Sequence, residues 1–292
     1  TIELIGLIHR SGSMAAAARE LGVVPSALTY RIRQVEDALD VLLFDRSSRQ
    51  ARLTEAGKEL LREGNRLMVE LDAVANRVKR VATGWEPQLT LAIDSIISRT
   101  TVMELCEAFF ATQTPTRLRI REEALSGTLE ALTSGQADLA IGIPSEPTPN
   151  KSVQSLPLGN LNFIYAVAPH HPLAKAPEPI SDATLMPHRA VAVADSVQRG
   201  NGITSGLLGG QDVFTVPGMQ AKLDAQLRGL GGGFLPEYLA RPHIASGRLV
   251  EKQMQRPTRI IAIRYAWRCT GEHNEGRALQ WWLQQLAQPA TQ

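Results

Sequence analysis

The run Ser13-Met-Ala-Ala-Ala-Ala-Arg-Glu-Leu-Gly-Val-Val-Pro-Ser-Ala-Leu-Thr-Tyr-Arg-Ile-Arg33 decides how this chain reads. Ser13 belongs to the residue class whose side-chain oxygen caps a helix start, and the alanine-rich segment Met14 to Leu21 follows it. Gly22 supplies the permissive backbone of a tight turn. Pro25 suits the first turn of a further helix, in which Leu28, Ile32, Val35 and Leu39 recur on one apolar stripe. Ser26, Thr29, Tyr30 and Arg33 fall on the opposite face, giving hydroxyls and a guanidinium one outward surface. A small-residue helix, a glycine turn and a helix with a polar outer face form the arrangement that lets a second helix enter a DNA major groove. A plain surface hairpin of helices is the alternative.

Upstream, Leu4, Ile5, Leu7 and Ile8 predict a helix over residues 3 to 10 that ends near Gly12. The chain begins at Thr1, without a methionine, and further native residues are expected ahead of it. Downstream, Arg46, Arg49 and Arg52 place three arginines in seven residues with no acid among them, as a basic wing over phosphates or the minor groove would require. Thr54 then caps a long helix in which Leu60, Gly64, Leu67, Leu71, Val74, Val78 and Val81 alternate at spacings of four and three. That seam predicts a dimerising coiled coil ending at Gly84; packing onto its own domain is the competing account. A dimer would set two reading helices about 34 Å apart, one turn of duplex.

The formal net charge of +2 does not by itself mark a nucleic-acid binder, so the DNA argument rests on where the arginines sit. At 292 residues the chain holds about two domains, and its longest apolar runs fall far short of a membrane span. The N-terminal residues lack the order of a secretory signal, so a cytoplasmic location and no membrane partner are expected. Cys106 and Cys269 are read as inert, with a redox role as the alternative.

After the linker Gly84-Trp-Glu-Pro87 the pattern changes. Strands are predicted at 89–93, 118–122 and 138–143, with helices at 101–110 and 128–132 between them. Beyond a proline-rich stretch at 144–157 come strands at 162–168, 190–194, 213–216 and 232–235, a helix after Pro217, a last strand at 260–267 and a last helix at 276–286. Such alternation argues for a parallel α/β sheet that binds ligands outside the carboxyl ends of its strands. Two similar halves imply a cleft.

Four segments in order, Ser11 to Gly22, Pro25 to Glu36, Leu43-Phe-Asp-Arg46 and Leu53-Thr-Glu-Ala-Gly57, resemble the LysR-type transcriptional regulators. Gly135 to Gly142, Ala168 to Ala174 and Leu230 to Pro236 look like that family's effector-domain motifs, so the resemblance covers essentially the whole chain. It implies an α/β protein with a winged helix-turn-helix at 1–53, a dimerising helix at 54–84 and a periplasmic-binding-protein-like effector domain. One lobe would comprise 88–160 with 268–292, and the other 161–267. The implied partners are double-stranded promoter DNA, a small-molecule effector, and the chain itself as dimer or tetramer, with RNA polymerase as a further candidate; no cofactor is implied.

The resemblance assigns DNA contacts to Pro25, Ser26, Thr29, Tyr30 and Arg33 and to the wing residues Arg46, Arg49 and Arg52. Val24, Pro25 and Tyr30 depart from the family's frequent Ser, Gln and Arg, which points to a different base preference. Tyr30 is open to two readings, a stacking or phosphate contact and packing against the wing. Effector contacts are assigned to Asp94, Ser95, Ile96, Ser98, Leu125, Ser126, Gly127, Phe163, Asp195, Ser196, Val197, Pro217 and Gly218. Helix-start amides there favour an anionic group, whereas Asp94 and Asp195 oppose one unless they cap helices or bind a hydroxyl or amine.

No constellation for catalysis stands out. Gly229 to Phe234 lacks the last glycine of a dinucleotide loop and reads as a helix C-cap, and His170-His171 sits in a turn between Pro169 and Pro172. The competing classes are a ligand carrier on the same two-lobed frame and, more distantly, an enzyme using the cleft.

Overall fold

The computed structural model describes residues 1–45, 51–144, 152–197, 207–257, 259–269 and 275–288. The wing arginines Arg46 and Arg49 lie outside the described residues. Two compact units divide the chain, Thr1–Ala75 and Asn76–Gln292.

In the first unit α1 spans Ile2–Ser11, α2 Met14–Leu21, α3 Pro25–Leu39, and α4 Glu55–Thr83 runs on past the unit's end. The Ala16 N–H donates to Ser13 Oγ at 3.1 Å, and Gly22 takes a left-handed φ of 65° that ends α2. Fully buried Ala17 and Ala18 leave room for Leu28 and Ile32 of α3, and the core closes with Ile5, Ile8, Leu43, Phe44 and Leu53. Buried Glu36 supports this core in a way periodicity does not disclose. Its Oε1 accepts from the N–H groups of Leu43 (2.8 Å) and Phe44 (3.3 Å), tying the end of α3 to the base of the wing. That base is a short antiparallel pairing: Phe44 bridges Leu53, and the Asp45 N–H donates to the Arg52 carbonyl.

Thr54 does cap α4, accepting from the Gly57 N–H at 3.0 Å. The seam divides. Leu60 packs on the core of the first unit, and Gly64 lies so close to Ile2 that a side-chain carbon there would stand 2.3 Å from it. Leu67, Leu71, Val74, Val78 and Val81 are all exposed.

The second unit carries strands β1 Gln88–Asp94, β2 Arg117–Glu123, β3 Leu139–Ile143, β4 Val153–Val167, β5 Ala190–Val193, β6 Val213–Val216, β7 Gly233–Pro236, β8 Val250–Lys252 and β9 Arg259–Arg268. Its helices are α5 Arg99–Ala111, α6 Ser126–Thr133, α7 Asp182–Leu185, α8 Met219–Leu227, α9 Glu237–Ala245 and α10 Arg277–Leu286. The sheet is mixed rather than parallel. β2, β1 and β3 pair in parallel, β9 and β4 join antiparallel, and β7 and β8 pair with β4. A separate parallel pair, β5 and β6, meets this sheet through a bridge between Ala190 and Gly232.

The end of the proline-rich stretch belongs to a strand, because β4 begins at Val153 and continues through Pro157, where the register against β9 shifts. A break in alternation at that shift is what hid a 15-residue strand. Arg264 to Trp267 of β9 pair with both β3 and β4, so the two long strands run through the middle of the domain. Helix α10 closes the fold with Trp282 and Leu286 buried against Phe109 of α5. Its start is capped from afar by Glu86, whose carboxylate accepts from the N–H groups of Ala278 (3.0 Å) and Leu279 (3.2 Å).

Candidate functional site

Two groups of side chains stand apart from the packing. On α3, Pro25, Ser26, Tyr30 and Arg33 are exposed while Leu28 and Ile32 are buried, so the helix presents one outward polar face. Thr29 is half-buried and donates its hydroxyl proton back to the Pro25 carbonyl at 3.1 Å, which leaves the oxygen free to accept. Tyr30 is 63% exposed, and its phenol oxygen accepts from Gln34 Nε2 at 3.1 Å. Arg52 is exposed beside the paired base of the wing.

The second group lies in the larger unit, where the loops after β1, β2 and β5 converge. Asp94 ends β1 almost fully buried. Its Oδ1 accepts from the Ile96 N–H at 3.0 Å, and its Oδ2 accepts from the Leu125 N–H at 2.9 Å and from Thr128 Oγ1 at 3.1 Å. Removal from water pushes its pKa up to about 6 despite these donors. Ser126 Oγ donates to Asp195 Oδ2 at 2.5 Å, and Asp195 Oδ1 also accepts from the Val197 N–H. Ser196 Oγ accepts from the Ala124 N–H and donates to the Ala124 carbonyl. Gly127 leaves no room for anything larger, since a Cβ there would lie 1.8 Å from Ser196 Oγ.

Ser95, Gly218 and Glu122 form an adjoining corner: a carbon added at Gly218 would be 3.2 Å from Glu122 Oε1 and 3.7 Å from Ser95 Cβ. The Ser95 hydroxyl is buried there without a hydrogen-bond partner among the described residues. Arg99 pairs with Glu122 at 2.7 Å, and Arg121 pairs with Glu123 at 2.9 Å.

The structure therefore brings Asp94, Leu125 and Ile96 into one hydrogen-bonded turn, joins Ser126 to Asp195 and Gly127 to Ser196, and sets Ser95 beside Gly218. Ser98 instead caps α5 by accepting from the Thr101 N–H. Phe163 is buried in the sheet core with the Arg259 guanidinium 5.4 Å from its ring centre, and Pro217 is exposed ahead of Gly218. Thr128 and Tyr238, which donates to the Ile96 carbonyl at 2.9 Å, take part without having been singled out in the sequence. Thr128 lies in the first turn of α6 and its partner Asp94 is distant in sequence; Tyr238 comes from α9, an element that the sequence reading passed over.

Gly229 has the left-handed φ of 72° that caps α8, as its place in the glycine run implied. His171 Nδ1 accepts from the Leu173 N–H and thereby caps a short turn. Among the described residues no group of three or more acidic, histidine or cysteine side chains is placed to hold a metal. No helix among them is long and apolar enough to cross a membrane. Cys106 is buried, and burial raises its thiol pKa.

Comparison with known proteins matches residues 2–58 to the bacterial regulatory helix-turn-helix protein, lysR family, and residues 82–290 to the LysR substrate binding domain. The chain belongs to the LysR family of transcriptional regulators. It is 34% identical to the uncharacterized regulator YeeY of Escherichia coli strain K12, over 97% of this chain and 91% of that protein. LysR-type structures share its fold. Full-length LysG from Corynebacterium glutamicum with bound effector Arg aligns at a TM-score of 0.54 and 21% identity, covering 98% of this chain and 95% of that one. Full-length CbnR complexed with its target DNA aligns at 0.65 and 17%, covering 98% and 97%. This LysR-type regulator thus couples a helix-turn-helix to a substrate-binding effector domain, as the sequence motifs implied.

Proposed function

We propose that this regulator binds a pseudo-palindromic promoter site as a dimer and that a small effector in its cleft alters that binding. In this reading residues 1–53 read DNA, 54–84 dimerise, and 88–160 with 268–292 faces 161–267 across the cleft. The protein works in the cytoplasm, the lobes extend the dimer to a tetramer, and RNA polymerase is the downstream partner.

The observation that carries the DNA assignment is the division of α3, with Leu28 and Ile32 buried and Ser26, Tyr30 and Arg33 exposed. Phosphate contacts by Arg46, Arg49 and Arg52 supply salt-dependent affinity, while Arg33, Ser26, Thr29 and Tyr30 address base edges. The exposed apolar stretch from Leu67 to Val81 supports pairing through α4.

For the effector, the two aspartates change the balance that the sequence left open. Asp94 is consumed as a cap, while Asp195 holds one exchangeable hydroxyl donor, Ser126. Glu122 and Glu123 stand beside the same loops. A ligand bearing a hydroxyl, amine or guanidinium can take the place of Ser126 on Asp195, whereas a dicarboxylate meets repulsion from Asp195 itself, Glu122 and Glu123 being paired with Arg99 and Arg121.

The test is binding of the full chain to labelled DNA from beside its own gene, titrated across salt with random DNA as competitor. Selective binding that the competitor does not abolish supports the reading. Binding no better than to random DNA refutes it. A melting-temperature screen of amines against dicarboxylates then tests the effector class.

A further inference from the structure

The turn that leads into α3 exposes apolar side chains in succession. Leu21, Val23 and Val24 are 49%, 44% and 63% exposed, and Pro25 and Ala27 are exposed with them. Single exposed apolar side chains are ordinary, whereas a contiguous run marks a surface that meets a partner. Val24 is also the N-cap of α3, and its side chain offers nothing to the N–H groups of the first turn. The preceding helix, α2, is capped by Ser13 in the usual way. At the start of α3 the chain thus forgoes a capping bond and presents an isopropyl group.

Backbone bonds hold that group in place. The Val23 N–H donates to the Ala18 carbonyl and the Ala27 N–H to the Val24 carbonyl, both at 3.0 Å. Val24 has the extended φ of −76° and ψ of 141° that a following proline favours. It therefore stands on a fixed turn at the N-terminal end of the second helix of a helix-turn-helix, and in that motif these N-terminal residues meet base edges in the major groove. The edges there are donors and acceptors that polar groups address, apart from one apolar feature, the thymine C5-methyl group. An isopropyl group laid on a G·C pair buries a donor or acceptor without a partner; laid on thymine it buries methyl against methyl.

We infer that Val24 selects thymine in each half of the operator, through contact with the C5-methyl group. This contact is additional to Ser26, Thr29, Tyr30 and Arg33. It rests on the proposed placement of α3 in the major groove, and the test separates the two.

Footprinting of the full-length protein on DNA from beside its own gene locates the half-sites. Each thymine in them is then replaced by uracil, which lacks only the methyl and still pairs with adenine. At one position per half-site, affinity should fall roughly fourfold for each methyl removed, the worth of one buried methylene-sized group. Val24→Ser should weaken binding to the thymine operator by a similar factor and abolish the difference between thymine and uracil. Its melting temperature should stay level or rise, because serine can cap α3. Selective binding that tolerates uracil at every position overturns this inference alone. A uracil penalty that persists undiminished in Val24→Ser gives the methyl contact to another residue and overturns it as well. Binding no better than to random DNA removes the placement of α3 and this inference together.

Discussion

At the scale of single residues, two side chains give sharp tests: Arg33 on the outward face of α3 and the buried Asp94 at the end of β1. Arg33 is exposed on the outward face of α3, so Arg33→Ala should relax discrimination at one base pair by about 1–3 kcal/mol. Arg52→Ala should instead weaken all sequences alike and lower the salt slope by about one. Competition binding on operator variants separates the two, and equal losses for Arg33→Ala on specific and random DNA would remove it from base reading. Asp94 makes a prediction of opposite kind. Its folded pKa of about 6 lies above the ordinary 3.8, so the folded state holds the proton more tightly. This group therefore contributes stability at low pH that is lost as pH rises from about 4 to about 6, by at most about 3 kcal/mol. The difference between wild-type and Asp94→Asn unfolding free energies, measured across that window, should carry this slope; a flat difference refutes the assignment. The outward polar face of α3 was legible because helical spacing alone sorts buried Leu28 from exposed Tyr30. Asp94 was legible only as a puzzle, since no spacing shows that a carboxylate at a strand end will accept from Leu125 and Thr128, over thirty residues away.

At the scale of elements, α4 and α10 show why some parts could be read and others not. The seam of α4 is a local repeat, and its boundaries follow from Thr54 and Gly84. What the repeat could not reveal is that its first turns are used at home, with Gly64 under Ile2, so that only Leu67 onward is free for a partner. Leu71→Glu should accordingly leave the melting temperature of the first unit nearly unchanged and turn the dimer into monomer in sedimentation. Its DNA affinity should fall more than tenfold, because each half-site is then bound alone. A dimer that survives the charge would place self-association elsewhere. Helix α10 presents the reverse case. Its apolar face is plain in the sequence, but its cap is Glu86, in a stretch that composition marks as linker. Glu86→Ala should cost about 1–3 kcal/mol in denaturant unfolding, since it leaves two buried N–H groups without partners. The sheet was misread for a similar reason. Parallel and antiparallel pairings of buried strands share one apolar pattern, and the register shift near Pro157 disguises β4 as a loop.

At the scale of the whole molecule, the question is how a small ligand changes DNA binding. The loops after β2 and β5 are joined through Ser126 to Asp195 and Ala124 to Ser196. An effector shifts the population of states only in proportion to its unequal affinity for them, so under the proposed site it would either strengthen these bonds or replace them. Gly127 offers a way to distinguish the two. A methyl there would occupy the space of Ser196 Oγ, so Gly127→Ala forces the two loops apart while leaving the helix-turn-helix untouched. If an effector works by closing the joined state, this variant should bind operator DNA as wild type does without ligand and show little response to ligand. If it works by replacing the Ser126 to Asp195 bond, the variant should mimic the ligand-bound protein on DNA with no ligand present. Footprint length and affinity on the operator, with and without a stabilising amine from the melting screen, would tell these apart. A variant that keeps the full ligand response would show that the contact between these loops does not control DNA binding.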